Sequence, residues 1–531
     1  MTTRARTLYV IGAFASAFCL SCSWQPKVSQ PKVSQPIATV KSPDSEQLQS
    51  LEAYVSRPIS DSQVTQFLNA ARQAEAIADP LQRCLKYPDP PTLDWPKATI
   101  AAYCHYQFDP AVTPKEVQRL IQTGHAAELD QRLSTIMDEQ LSQPGAQGKL
   151  DRTYNLDFKN GSEEIRTLMD AWKRQSPTSP FALAASGTAY VQMAQQARGT
   201  DLASKTSDDS FHSMSSLLLL ARADLDRAVE LQPKLTAAYG AMISAAALDD
   251  DKAYASSAAE RGLAADPSNY GIYARLVWMS QPKWGGEIED MQRLIASAQR
   301  QADKNPLMKL LLSQTSGGEE YVGNCDCSPD DVVKIYRQVF AEGATVNMLI
   351  SAGSGAKKHN LSVLSVIYRS QVLRFAPDQM AQREGRAYDL PTMGQPEWAI
   401  EEGNALVAIA PHDENAFDVR GYAFQSTGNV VRAIDDYQEA LRLNPSDAWT
   451  LSTLGNLYIH SAHDWDKGWS MADRLIQLDP DNPQGWLLRA TIQKGQPRDG
   501  LDQTISDFVA RFGNDPSQQA LVAQMRAMRS P

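Results

Sequence analysis

Four prolines, Pro377, Pro411, Pro445 and Pro480, fall at intervals of 34, 34 and 35 residues, and no other feature constrains the fold as much. Between them the spacing is Phe417-x2-Arg420-Gly421-x2-Phe424, then Ala433-x3-Tyr437, Ala440 and Pro445. Small residues at these positions let two helices cross closely, aromatic rings fill the space between them, and a proline stops the second helix. Gly353, Gly421 and Gly455 keep the same phase to within one residue, and Ala399, Ala433 and Tyr458 stay in register. A helix pair of this size cannot bury its own apolar face. The period therefore predicts pairs stacked on one another as an all-α superhelix of αα-hairpins.

The spacing from Phe417 to Pro445 resembles the tetratricopeptide (TPR) repeat, with Arg420 standing where leucine is usual. The phased series runs from about Val346 to Asp481, and Pro483–Lys494 with Leu501–Phe512 reads as a closing pair. The N-terminal half carries a looser form of the same pattern. Leu183, Gly187 and Tyr190 suit a first helix, and Ala221, Leu225, Ala228 and Pro233 a second. Gly187 and Pro233 are 46 residues apart where such a repeat needs about 24, which predicts a polar insertion near Gly199–Met214. Pro267 follows Pro233 by 34, and the next pair is interrupted at Trp284-Gly285-Gly286. The runs Gln281–Met291, Arg261–Tyr273 and Ala197–Gly199 resemble the bacterial family called domain of unknown function 4034, over about residues 75–310. Asp79–Pro91 is similar to the N-terminal part of some of its members. That resemblance implies a TPR-like helical fold and no assigned activity.

With 531 residues the chain exceeds one compact core. Its 43% hydrophobic and 21% charged content is that of a folded protein. A net charge of −11, with no clustered Lys/Arg, argues against nucleic acid as a ligand. Arg4 and Arg6 precede a short apolar run, Leu8–Phe18, and then Cys19-Leu20-Ser21-Cys22. This layout predicts an export signal over 1–21. It resembles a bacterial lipoprotein signal with Cys22 as the acylated residue, although Cys19 holds the place usually taken by leucine. Ser23 fits sorting to the outer membrane, and ordinary cleavage with release into the periplasm is the alternative. Residues 22–45 then contain QPKVSQPKVSQP, which suits an extended tether. The expected organisation continues with an N-terminal helical domain over 46–310, a linker and connecting helix over 311–345, and a C-terminal TPR domain over 346–531.

The cysteines are the first candidates for chemistry. An apolar segment, a proline-rich link and a returning segment could bring Cys84 and Cys104 together, where a disulfide would stabilise by ~3 kcal/mol in the chain-entropy account. Two buried thiols are the alternative. Cys325-x-Cys327 could form a disulfide, locally or with Cys84 or Cys104, or act as a redox or soft-metal pair. It lacks the further ligands of a zinc site. His460-x2-His463 lacks the remaining elements of a zinc protease, and Ser354-x2-Lys357 lacks the companion motifs of acyl-enzyme hydrolases. No catalytic residue, metal set or cofactor is expected.

The TPR resemblance implies that first helices line a concave face, through Asn415, Asp418, Tyr422, Gln425 and Ser426 in one repeat. In the next repeat the corresponding residues are Trp449, Ser452, Asn456, Ile459 and His460. Such amide, hydroxyl and aromatic groups suit capture of a peptide. The lysine–asparagine clamp that some TPR proteins use for a terminal carboxylate is not reproduced, because Asp418 is acidic where lysine is needed. The expectation is a non-enzymatic envelope protein holding a protein or peptide partner, with the membrane reached only through a lipid anchor. A redox or metal protein using Cys325 and Cys327, or a spacer without a ligand, are the alternatives.

Overall fold

The computed structural model describes residues 59–109, 112–200, 203–314, 328–496 and 498–529. The expected export signal, Cys22, the tether and the Cys325/Cys327 pair lie outside these residues. The described chain is all-α, without a strand. In order the helices are α1 (Asp61–Glu75), α2 (Pro80–Lys86), α3 (Lys97–Phe108), α4 (Pro114–Gln122), α5 (Ala126–Ser142), α6 (Lys149–Asp157), α7 (Glu163–Gln175), α8 (Pro180–Arg198), α9 (Asp208–Leu231), α10 (Thr236–Asp249), α11 (Lys252–Ala265), α12 (Tyr270–Met279) and α13 (Ile288–Gln299). There follow α14 (Pro329–Val339), α15 (Val346–Lys358), α16 (Ser362–Phe375), α17 (Met380–Asp389), α18 (Pro396–Ile409), α19 (Glu414–Ser426), α20 (Val430–Leu443), α21 (Ala448–Leu457), α22 (Trp465–Leu478), α23 (Pro483–Gly495), α24 (Leu501–Phe512) and α25 (Gln519–Ala527). No described helix is long and apolar enough to cross a membrane.

The phased prolines mark the joints between pairs. Each of Pro411, Pro445 and Pro480 is followed two residues later by Asp413, Asp447 or Asn482, whose side chain accepts the backbone N–H of Asn415, Trp449 or Gln484. Proline ends one pair and the polar cap starts the next, satisfying a donor that the helix itself cannot. Within a pair, glycine permits the close crossing. A Cβ on Gly421 would sit 3.0 Å from the Tyr437 ring, and one on Gly187 would sit 2.5 Å from Leu225 Cγ. The insertion expected near Gly199–Met214 is largely absorbed into helix. The 19-residue α8 and the 24-residue α9 are both long for a repeat, with a short 3₁₀ turn, Ala203–Lys205, between them.

The chain divides into two compact units, whose described parts belong to Pro96–Gly317 in the first and to Arg57–Trp95 with Gly318–Pro531 in the second. The first holds a continuous apolar core from Val112 to Ile272, to which α4, α5, α8, α9 and α10 contribute. Inside it the Asp151 carboxylate is buried and, among the described residues, forms no salt bridge, accepting from Thr236 Oγ1 at 2.9 Å and from Asn269 Nδ2 at 2.6 Å. Burial pushes its carboxyl above the usual range, against the pull of those two hydrogen bonds.

In the second unit, α1 and α2 pack with the C-terminal repeats, although in sequence they lie within the stretch expected to be N-terminal domain. The reason is polar as well as apolar. Arg374 donates to Cys84 O at 2.9 Å and to Asp89 Oδ1 at 2.8 Å, and Gln371 Nε2 donates to Pro88 O at 2.7 Å. Trp95 donates from Nε1 to Phe340 O at 2.7 Å and stacks on Phe375. Pro88 of the link and Cys84 near the end of α2 offer carbonyls there, and α16 supplies the donors. Cys84 and Cys104 are both fully buried and both disulfide-bonded.

Candidate functional site: the first-helix face of the C-terminal repeats

Two first helices of the second unit carry the same short strip, Glu384-x-Arg386-x-Tyr388 on α17 and Asp418-x-Arg420-x-Tyr422 on α19, one 34-residue period apart. On a helix, residues four apart share a face, while the residue midway between them lies about 200° around the axis. The acid and the tyrosine therefore stand together, and the arginine turns into the body of the helix pair. There Arg420 makes a two-pronged pair with Asp436 of α20, with Nε at 2.9 Å and Nη2 at 2.7 Å. Arg386 meets Glu402 of α18 at 2.8 Å, and Glu402 lies one period before Asp436. Arg420 in place of the usual leucine is thus one half of a repeated internal ion pair.

Arg386 goes further. Fully buried, it also reaches Glu75 of α1 through both terminal nitrogens, at 2.6 and 2.9 Å, and lies 4.6 Å over the Trp398 ring. Burial alone would push its guanidinium down, and the charges of Glu402 and Glu75 more than reverse this. For Glu75 burial pushes upward, and Arg386 outweighs it to leave the carboxyl below its usual range.

With both arginines occupied by these partners, the face itself is aromatic and acidic. Tyr388 lies 5.6 Å from Tyr422 and 6.0 Å, edge-on, from Trp449 of α21, and Tyr437 approaches Trp449 at 6.0 Å. Trp449 is nonetheless 45% exposed, held at its root by the Asp447 cap. Asp418 is 2% exposed and accepts from Thr450 Oγ1 at 2.8 Å, while the same hydroxyl touches Asp447. One hydroxyl proton cannot serve two carboxylates. Burial, with Asp447 and Glu414 beside it, pushes the Asp418 carboxyl up to about 7 despite the Thr450 bond. Burial and the neighbouring Asp413 and Glu414 push Glu384 upward too, Arg369 opposing.

The residues expected to line this face differ in their surroundings. Tyr422 and Trp449 belong to the aromatic cluster. Asn415 and Asn456 are exposed, their amides donating to Asp413 Oδ1 and Ser452 O. Gln425 accepts from the Tyr437 hydroxyl at 3.0 Å. Asp418 differs from the solvent-facing contact residue expected, because Thr450 and the α21 cap cover it. Ile459 is buried, and exposed His460 lies in a single π turn, Tyr458–Ala462, which ends at His463 in the left-handed region at φ 55°. Tyr388 and Glu384 were missed. Their signal was the period, since they precede Tyr422 and Asp418 by 34.

The opposite face behaves differently. A cavity of about 370 Å³ between α20, α21 and α22 has Arg442, Lys467 and Arg474 on its wall. Each has a partner: Glu439, Asp464 and the Pro445 carbonyl, respectively. In the first unit, Trp278 and Trp284 form an exposed pair with ring centres 4.8 Å apart at the turn expected from Trp284-Gly285-Gly286. Among the described residues no group of three or more His, Cys, Asp or Glu is placed to hold a metal ion.

No family model matches the chain. A curated human protein, tetratricopeptide repeat protein 6, is 28% identical over 114 residues, covering 22% of this chain and 22% of that protein. The match thus spans about a fifth of that relative's length. Among solved structures, a thermophilic TPR protein of Thermus thermophilus superposes with a TM-score of 0.31 at 17% identity, covering 35% of this chain and 98% of that one. A MamA protein does so with a TM-score of 0.28 at 19% identity, covering 33% and 93%. The superpositions are partial, and the fold rests on the helix pairs themselves. By period, by helix pairing and by its curated relative, this chain is similar to tetratricopeptide-repeat proteins.

Proposed function

We propose that the C-terminal unit is a capture surface for a protein or peptide segment, and that the chain acts as a scaffold or adaptor. The observation that carries this is Trp449, left 45% exposed at the end of an aromatic cluster whose other members are packed. A large ring held rigidly and half-wet loses little entropy on contact and gains by being covered, as interface anchors do. The flanking amides of Asn415 and Asn456 can hydrogen-bond an extended backbone. Replacing Tyr422 and Asn456 together by alanine should abolish co-purification of the crosslinked partner. Unchanged co-purification would remove the face from the account.

The same proposal places the chain in the cell envelope as an exported lipoprotein anchored through Cys22. Its support is the Arg4/Arg6 and Leu8–Phe18 layout before Cys22, together with two disulfide-bonded cysteines, which belong to oxidising compartments. Intact mass decides the anchor. The wild-type chain should carry the mass of its acyl chains and the Cys22→Ser chain should lack it; equal masses apart from the substitution would exclude lipidation.

A further inference from the structure

The first-helix face gathers acidic groups that are held by helix N–H groups and amides rather than by paired cations. Glu384, Asp413, Glu414, Asp418 and Asp447 come together on α17, α19 and the caps of α19 and α21, and among the described residues none of the five forms a salt bridge. The arginines on the same helices are spent elsewhere: Arg383 on Glu402, Arg386 on Glu75 and Glu402, and Arg420 on Asp436. Arg369, whose charge acts on Glu384, donates its hydrogen bonds to Ser365 Oγ, Ala381 O and Gln382 Oε1 rather than to that carboxylate. Three rings, Tyr388, Tyr422 and Trp449, stand among these carboxylates, with Tyr388 within about 6 Å of both others.

Carboxylates gathered without salt-bridge partners repel one another, and an incoming cation relieves that repulsion. Aromatic faces beside carboxylates add the attraction of the ring for a cation, which favours guanidinium over a neutral group. We propose that this face takes an extended segment bearing arginine or lysine side chains, seated between the Tyr388–Tyr422–Trp449 rings and the carboxylates of Glu384, Asp413 and Asp447. The inference rests on the capture reading above and names the chemistry of what is captured. The three rings come from successive first helices, so cations at intervals along the segment would each meet a ring and an acid. The opposite face, whose cations already have partners, offers no such imbalance.

The test uses the full-length protein and three labelled nonapeptides in which glycine alternates with arginine, glutamine or glutamate, followed by fluorescence anisotropy. The arginine peptide should bind at least tenfold more tightly than the glutamine peptide, and the glutamate peptide should not bind. Glu384→Gln combined with Asp447→Asn, nearly isosteric changes, should weaken the arginine peptide about tenfold and flatten its salt dependence. Arg442→Gln on the opposite face should leave binding unchanged. Equal or tighter binding of the glutamine or glutamate peptide overturns the inference, as does arginine-peptide binding that ignores the double substitution or absence of binding by all three. A photo-reactive residue at position 456 separates the two readings in cells. Capture of a discrete partner there, with no preference for the arginine peptide, leaves capture standing and removes the basic segment.

Discussion

Two neighbouring repeats carry the same internal ion pair in different surroundings. Arg420 and Asp436 close one repeat near the surface, the arginine side chain 22% exposed. Arg386 and Glu402 close the repeat before it at full burial, and there Glu75, 311 residues away in sequence, joins them. The position in the repeat is the same, and only the second environment is sealed from water. A buried cation with one carboxylate beside it gains from a second acceptor, and α1 supplies one to both terminal nitrogens, while Nε keeps no hydrogen-bond partner among the described residues. The comparison shows how a helix from far upstream becomes part of the C-terminal unit. It completes a pair that the repeat alone leaves half-solvated.

Breaking the buried pair should have the largest effect. Arg386→Ala leaves Glu75 without its cation and Glu402 with Arg383 alone, and should cost about 3–5 kcal/mol, read as a lowered urea midpoint. Glu75→Gln keeps the shape and weakens charge-assisted bonds, so a loss of about 1.5–3 kcal/mol is expected, with faster proteolysis within 57–95. Arg420→Leu, which restores the usual repeat residue, should cost only about 1–2 kcal/mol, recovered largely when Asp436 is replaced by leucine as well. A larger loss from Arg420→Leu than from Arg386→Ala would invert the comparison.

The acids of the two strips add a pH-dependent component. Asp418, pushed up to about 7 by burial and by its neighbours Asp447 and Glu414, binds its proton more tightly folded than unfolded. Between the unfolded value, near 4, and about 7 the native state holds the extra proton, so stability must fall as pH rises through that window. Asp418→Asn should remove this slope and raise the melting temperature at pH 8 relative to wild type. Thermal scans from pH 4 to pH 8 check it, and a slope identical in both proteins would contradict the assignment.

The period, the caps after Pro411, Pro445 and Pro480, and most helix positions are legible in the sequence, because turn chemistry and close crossings are local. The expected bounds Leu501–Phe512 match the helix to the residue, and the glycines at 187 and 421 do meet their partner helices. The insertion near 199–214 is visible only as extra length, since nothing local says that α8 and α9 lengthen to absorb it. Arg420 looks like a departure because its partner Asp436 lies on the next helix. The role of Glu75 is illegible for a stronger reason: amphipathic α1 advertises a buried face but not which core receives it. Tyr388 and Glu384 are within reach, since projecting Tyr422 and Asp418 back by one period finds both. Trp449 reads as a face residue from its register, and its half-exposure requires the packing of Tyr388 and Tyr437 to be seen.

The central claim is that the first-helix face, rather than the second-helix face, holds the partner. The direct measurement places one photo-reactive residue at Asn456 and, in a separate chain, one at Val431, which is 70% exposed on α20. Both chains are irradiated in cells and their adducts compared by mass spectrometry. The account predicts a discrete protein adduct from position 456 and none from position 431. The same adduct from both positions, or an adduct from position 431 alone, would contradict it.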